Sequence, residues 1–306
     1  VTPASEPWKA EIAVSLDFAR ELIAAQFPSL ALDSIEVLGE GWDNVAFLLD
    51  ARYVFRFPRR AIAAQIIETE IAVLPQIAGR LPLPVSSPLM AGAASETYPW
   101  RFAGYPLLVG APLSATCVGD AAMRGLAGEL GAFLRALHAI DAAPLVEAGL
   151  PRDNIGRLDH AKRMPLLRAR FEELGAARLV DDVALAIEFL ESIAPNGPRE
   201  SRLTIVHGDL YAPHVLVDGE GNATGIIDWG DVHFGDPAID IAIAFEVLPP
   251  FARSAFAAAY GPIDDETWDL ARYRAIYHAA LVAHYGHRIG NAELRDAGLR
   301  GLAYSV

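Results

Sequence analysis

Apolar residues recur at helical spacing over residues 8–27, WKAEIAVSLDFARELIAAQF, where Ile12, Leu16, Phe18, Leu22 and Ile23 predict a first helix. The period then shortens. SIEVLGEGWDNVAFLLDARYVFRFPRR reads as three short strands separated by turn clusters at GEGWDN and LDARY. AAQIIETEIAVLPQIAGRL returns to helical spacing and ends near Gly79, and two more strands are predicted around VSSPLMAGA and WRFAGYPLLVG. The sum is an antiparallel sheet of five strands carrying one inserted helix, followed by a hinge at GAPLS. Beyond the hinge the pattern is mainly helical. GDAAMRGLAGELGAFLRALHAI sets Leu126, Leu130, Phe133, Leu134 and Leu137 on one face, and DHAKRMPLLRARFEELG and DDVALAIEFLESIA continue the theme. Two short strands, HVLVD and ATGIID, interrupt it around the turn GEGN before helices resume from AIDIAIAFEV to the C-terminus. The expected fold class is α+β in two lobes, a β-rich lobe over residues 1–108 and an α-helical lobe over 109–306.

Composition narrows the class. A chain of 306 residues with 53% hydrophobic content can bury the core of one large domain or two modest ones. A single cysteine, Cys117, excludes an intrachain disulfide and a Cys-rich metal site, and fits a reducing compartment. The opening VTPASEPWKAEIAVSLDF lacks the basic and apolar regions of a secretory signal. No apolar run reaches the ~18–20 residues of a membrane span. The expectation is a cytoplasmic chain with no membrane partner. Its net charge of −14 argues against a nucleic-acid partner. The excess is −4 up to Gly110 and −10 beyond it. That imbalance suits a cationic or metal-bound substrate, and equally suits plain solubility.

The acidic half holds the strongest chemical signal, HGDLYAPHVLVDGEGNATGIIDWGD at positions 207–231. Asp209 follows the strand-like RLTIV, with Gly208 allowing a bend that lifts the next side chain out of the strand. Asp228 ends the apolar run GII. A hairpin beginning just after Asp209 returns the chain to Asp228, so the two carboxylates can converge. Two carboxylates at one mouth repel unless a cation lies between them. Mg2+, which prefers oxygen ligands and substrate phosphates, is the expected ion. Taken singly, each Asp reads as a turn former or a strand-end carboxylate.

A magnesium–phosphate site calls for a phosphate grip in the first lobe. Gly39 and Gly41 lie in a strand–turn–strand, a common arrangement by itself. YVFRFPRR places Arg56 on the face opposite Phe55 and Phe57. The next helix offers Glu68 and Glu70 as partners, either for an Arg–Glu pair aimed at phosphates or for a surface salt bridge.

These residues resemble the aminoglycoside and macrolide phosphotransferase family, which has a protein-kinase-like fold. VHGDLYAPHVLVD, GIIDWGD and GDPAIDIA carry the resemblance over 206–242, while GEGWDN, YVFRFPRR and ETEIAVL match more loosely. The resemblance implies that Asp209 is the catalytic aspartate facing the acceptor hydroxyl and that Asp228 holds Mg2+ against the β- and γ-phosphates. It puts His214 at the second metal-ligand position, where most aminoglycoside kinases have Asn. Arg56, where many relatives have Lys, would contact the phosphates with Glu70 as its partner. His207 would pack in the catalytic loop, and Asp236 and Asp240 would brace it. The segment Phe102–Leu108, with Tyr105, Leu107 and Leu108, would meet the nucleotide base through backbone groups. HGDLYxxH is the form found in macrolide phosphotransferases, which prefer a guanine nucleotide. GEGWDN and FRFP are closer to aminoglycoside kinases, some of which also use GTP. The donor is therefore ATP or GTP, and the implied protein is a monomeric antibiotic kinase acting on a sugar hydroxyl of a macrolide or aminoglycoside. Acidic residues of the second lobe (Asp231, Glu246, Asp264, Asp265 and Glu266) would attract an amine-bearing acceptor. Trp268, Tyr273 and Tyr277, at helical spacing, either line an apolar wall for it or pack in the core. Two alternatives remain at this level: a kinase of a small amino alcohol or sugar, and a nucleotide-binding pseudokinase, against which the pair Asp209 and Asp228 argues.

Overall fold

The structure, a computed structural model, describes residues 10–41, 43–181, 183–193 and 199–306. The chain divides into two compact units. One takes the chain up to Gly79 together with Val85–Leu108, and the other takes Arg80–Pro84 and Val109–Val306.

The first unit is a five-stranded antiparallel sheet. Its strands are β1 (Ile35–Glu40), β2 (Asn44–Leu49), β3 (Tyr53–Pro58), β4 (Met90–Gly92) and β5 (Phe102–Pro106), in the order β1-β2-β3-β5-β4. Alternation decides its faces. Phe47, Leu49, Phe55 and Phe57 are fully buried, while Val54 and Arg56 between them are half-exposed. The buried face is an aromatic cluster in which Phe57 stacks on Phe102 at 4.4 Å and Phe47 meets Phe57 edge-on at 5.8 Å. The first helix spans Leu16–Gln26, shorter than the periodic stretch predicts. Ser15 caps it by accepting from Phe18 N at 3.2 Å. The preceding residues form a non-helical bend whose Glu11 and Ile12 amides both bond to the Arg59 carbonyl. Ile12 is apolar because that segment packs on the sheet core, not because it is helical. Residues 8 and 9 of the predicted helix lie outside the described residues.

The inserted helix, Ala61–Ile77, is buried through Ala63, Ile67, Glu70, Val73, Leu74 and Ile77. By length and composition Ala61–Arg80 is apolar enough to cross a membrane, which the sequence reading did not register. Its buried stripe and its buried, ion-paired Glu70 identify it as a core helix.

The second unit is helical. Its main helices are Asp120–His138, His160–Ala176, Ala184–Ser192, Arg253–Tyr260, Asp265–Ile289 and Ala292–Ser305. Short strands lie among them: β6 (Ala111–Pro112), β7 (Thr204–Val206), β8 (Val215–Val217), β9 (Ala223–Ile226) and β10 (His233–Gly235). β8 pairs with β9 as the predicted hairpin, β6 adds to its edge, and β10 pairs with β7. The last two long helices pack closely as a hairpin. A Cβ at Gly298 would fall 2.3 Å from the Ala283 amide nitrogen, so only glycine allows that approach. One side of Asp265–Ile289 buries Tyr273, Ile276, Tyr277 and Ala280 against Met164, Leu167 and Phe171. Arg274 and His278, four residues apart, reach Asp209 from the same helix.

Candidate active site

The turn after β7 carries Asp209. Gly208 has φ +87°, and a Cβ there would lie 2.4 Å from the Asp231 carbonyl oxygen. The turn is clamped from below by Asp240, fully buried, whose two carboxylate oxygens accept from His207 N at 2.7 Å and Gly208 N at 2.9 Å. Burial pushes the Asp240 carboxyl up, but the His138 imidazole 3.2 Å away and the loop amides outweigh it, so its pKa is lowered. Asp236, expected to share this role, instead chelates the Arg199 guanidinium at 2.6 and 2.7 Å and caps the Ala238 amide. His207 is fixed as one tautomer. Its Nε2 donates to the Ile227 carbonyl at 3.1 Å and its Nδ1 accepts the Asp209 amide at 3.3 Å, while burial lowers its pKa and favours the neutral ring.

Arg157 clamps the other side. Its Nε donates to the Gly208 carbonyl at 3.1 Å, its Nη1 to Asp153 at 2.9 Å and its Nη2 to Asp231. Sequence reasoning missed Arg157, since DNIGRLDH carries no recognisable signal.

The Asp209 side chain, 27% exposed, faces three basic groups. Its Oδ1 lies 3.1 Å from His278 Nε2 and 4.0 Å from Arg274 Nη2, and its Oδ2 lies 3.8 Å from His214 Nδ1. Desolvation opposes its charge, but the His278 hydrogen bond and the charges of His278, His214 and Arg274 hold it well below the usual carboxylate range. His278 in turn bonds through Nδ1 to both oxygens of buried Glu246 at 2.9 Å. Burial disfavours its charge, yet Glu246 and Asp209 carry the imidazole pKa up to about 9. The result is a carboxylate–imidazolium–carboxylate row, Glu246–His278–Asp209, against which the Tyr211 ring sits edge-on at 5.0 Å. Sequence reasoning found Glu246 but assigned it to an acceptor. It missed His278 and Arg274, which lie far along the chain and meet Asp209 only through tertiary packing.

His214 Nδ1 bonds to the Asp209 carbonyl at 2.8 Å, which turns its Nε2 toward the Asp228 carboxylate, 3.4 Å from Oδ2. Asp228 adopts φ +61°, an uncommon conformation for a residue with a side chain, and its side chain is 50% exposed. With Nδ1 as the donor, an imidazole lone pair and a carboxylate oxygen face one another, so a positive group belongs between them: a proton or a metal ion. Among the described residues no group of three or more His, Cys, Asp or Glu side chains could hold a metal alone. The carboxylate suits an ion that takes its remaining ligands from phosphates and water, as Mg2+ does, whereas the imidazole nitrogen is a poorer ligand for so hard an ion.

In the first unit Arg56 bonds Glu70 through Nη1 at 3.0 and 3.2 Å, and Tyr105 donates its hydroxyl to the same carboxylate at 2.5 Å. Glu70 is fully buried, so this is not a surface salt bridge. Glu68 pairs instead with Arg101, where both side chains are well exposed. Gly41 closes its turn through N–H to the Asn44 carbonyl at 2.9 Å, and a Cβ at Gly39 would meet no atom within 4 Å. Trp42 of this turn lies outside the described residues. The Leu107 amide bonds to the Arg52 carbonyl at 2.8 Å and is therefore already occupied, while Leu108 is half-buried.

Most of the acidic residues expected to face an amine already carry a cation. Asp231 pairs with Arg157, Glu246 with His278, Asp264 with Arg202 at 2.7 Å, and Glu266 with Arg199 at 3.4 Å. Tyr273 and Tyr277 are core residues, and the Tyr277 hydroxyl accepts from Arg163 at 3.2 Å and Arg170 at 3.0 Å. Trp268 is half-buried against Phe245, 4.7 Å between rings.

Comparison with known proteins fits this arrangement. Residues 34–276 match the model of the phosphotransferase enzyme family APH. A viomycin phosphotransferase of Streptomyces vinaceus is 34% identical over 101 residues, 32% of this chain and 35% of that protein. The chain spans 13% and 35% of the length of two curated relatives it matches. Among solved structures, the GDP complex of wild-type aminoglycoside 2'-phosphotransferase-IIIa aligns with TM-score 0.68 and 25% identity over 95% of this chain and 98% of its own. Macrolide 2'-phosphotransferase MphH from Brachybacterium faecium shares the fold at TM-score 0.62 and 24% identity, over 94% and 98% of the two chains. With more than three quarters of its length inside the family match and its catalytic-loop motif in place, this chain belongs to the APH phosphotransferase enzyme family.

Proposed function

We propose that the protein transfers the γ-phosphoryl group of a nucleoside triphosphate to a hydroxyl of a small molecule. The carrying observation is the Asp209 carboxylate, kept anionic by His278 and presented on a clamped turn beside the facing pair Asp228 and His214. Phosphoryl transfer proceeds through a loose transition state, so positioning and charge compensation do most of the work. Asp209 orients the acceptor hydroxyl and accepts its proton as the oxygen attacks phosphorus. Asp240 and Arg157 hold the turn so that the carboxylate does not drift. Asp228 and His214 would hold Mg2+, which supplies neutralisation of phosphate charge when bound. In the first unit, Arg56, fixed by Glu70 and Tyr105, is proposed to meet the triphosphate. A GDP complex of a relative supports a guanine nucleotide as donor beside ATP. The relatives' names make aminoglycosides and viomycin acceptor classes to test beside small alcohols.

The test is release of nucleoside diphosphate from MgATP and MgGTP with a panel of aminoglycosides, macrolides, viomycin and small alcohols. Asp209→Ala is expected to lower turnover by about 10²–10⁴-fold while nucleotide binding stays close to wild type. A variant that keeps more than about a tenth of the activity removes Asp209 from the acceptor-side role.

A further inference from the structure

Arg274 is anomalous in its surroundings. Its side chain is only 8% exposed, and its nearest carboxylate contact is Asp209 at 4.0 Å, beyond hydrogen-bond reach. Among the described residues no group accepts a hydrogen bond from it. A guanidinium carries five N–H donors, and those of Arg274 are not among the sealed polar atoms that lack a partner, so they face a space that solvent or a ligand can reach. The other buried arginine near the turn, Arg157, is bonded to Gly208, Asp153 and Asp231, and half-buried Arg163 is bonded to Gly156, Ile155 and Tyr277. One turn along the same helix stands His278, whose imidazole meets the same Asp209 oxygen at 3.1 Å and is kept cationic by Glu246. The immediate neighbours of the Asp209 carboxylate are thus cations, and one of them has donors to spare.

We infer that Arg274 and His278 form an anion subsite for the acceptor, so that the molecule phosphorylated carries a carboxylate or phosphate group within a few bonds of the reacting hydroxyl. The inference rests on the phosphotransferase reading, which places that hydroxyl at Asp209. An ammonium group in the same place would meet Arg274 and His278 with like charge. Of the five acidic side chains expected to attract an amine, Asp231, Glu246, Asp264 and Glu266 are paired within the chain, and only Asp265, in the first turn of Asp265–Ile289, shows no cation partner among the described residues. Charge-assisted bonds from a guanidinium to a carboxylate are among the stronger hydrogen bonds, and Arg favours planar two-oxygen acceptors.

The experiment uses three matched probes on the whole protein: glycolate, ethylene glycol and ethanolamine, which present the same hydroxymethyl group beside a carboxylate, a neutral hydroxyl and an ammonium group. Binding is followed through the guanidinium Nε–H resonance of Arg274, assigned by its loss in Arg274→Gln. Glycolate is expected to shift that resonance saturably and to bind about 10–100-fold more tightly than the other two, the size of one charge-assisted contact. Ethanolamine or the diol binding as tightly as glycolate overturns the subsite, and so does a glycolate titration that leaves the Arg274 resonance unmoved. The wild-type titration alone decides this, even where Arg274→Gln folds poorly. Diphosphate release with hydroxy acids and their primary amides as acceptors forms the second arm. The acids are expected to be preferred, and a preference for the amides counts against the subsite. No release with any acceptor, alongside an intact glycolate titration, counts against the transferase reading and leaves the subsite standing.

Discussion

At the scale of single residues, the site depends on what each side chain's second atom is doing. His214 Nδ1 is tied to the Asp209 carbonyl, and this tie directs Nε2 at Asp228. His207 donates to Ile227, and this leaves Nδ1 to accept the Asp209 amide. Asp228 sits at positive φ, which Asp adopts more readily than most residues and which Asp50, Ala51 and Arg178 also adopt, so its case as a ligand rests on its facing His214. The expected outcome for Asp228→Ala is therefore a loss in the affinity of the magnesium–nucleotide complex together with a loss of turnover, and a small change in stability. Calorimetric titration of the nucleotide with and without Mg2+ checks it. An unchanged metal dependence would assign Asp228 to the fold alone. The Asp209, His214 and Asp228 triangle was legible in the sequence because a short hairpin joins the three. Arg157, Arg274 and His278 were not, because nothing local marks an arginine or histidine whose partner is supplied by another helix.

At the scale of elements, period and punctuation located most strands and helices. The errors came where tertiary packing imitates a period. Ile12 belongs to the bend before the first helix and not to the helix itself, while Tyr273 and Tyr277 follow the core alternative of the stripe they share with Trp268. The inserted helix shows the reverse case, an apolar helix whose one buried carboxylate is its most informative residue. Glu70 is fully buried and holds both Arg56 and Tyr105, whereas Glu68, two residues earlier, holds Arg101 at the surface. Removing one partner of a buried pair leaves an uncompensated charge, so Glu70→Ala is expected to destabilise the protein by about 3–5 kcal/mol. Glu68→Ala should cost less than about 1 kcal/mol. Denaturant unfolding of the two variants side by side checks the contrast, and equal, small losses would mean that the pair contributes little to holding Arg56 in place.

At the scale of the whole molecule, the net charge of −14 suggested an acidic surface that attracts cations from outside. The structure shows that several of its carboxylates are matched by cations of the chain itself, and the row Glu246–His278–Asp209 is one such instance. That row ties the long helix Asp265–Ile289 to the Asp209 turn, so its protonation state should register in global stability. The folded pKa of His278 is raised to about 9 by Glu246 and Asp209 against the cost of burial and the nearby charge of Arg274. An unfolded histidine titrates near ~6.5. Protonated His278 thus stabilises the fold in full below about pH 6.5, and the contribution is lost as pH rises through about 9. A shift of this size corresponds to on the order of 3 kcal/mol between the two limits. Once the ring is neutral, Glu246 and Asp209 remain as two carboxylates with no cation between them. Unfolding free energies measured from pH 6 to 10 should therefore decline for the wild type across that window. His278→Gln should be less stable at neutral pH and nearly flat over the same range. A variant that declines as steeply as the wild type would place the alkaline loss in other groups and deny His278 its charge in the folded protein.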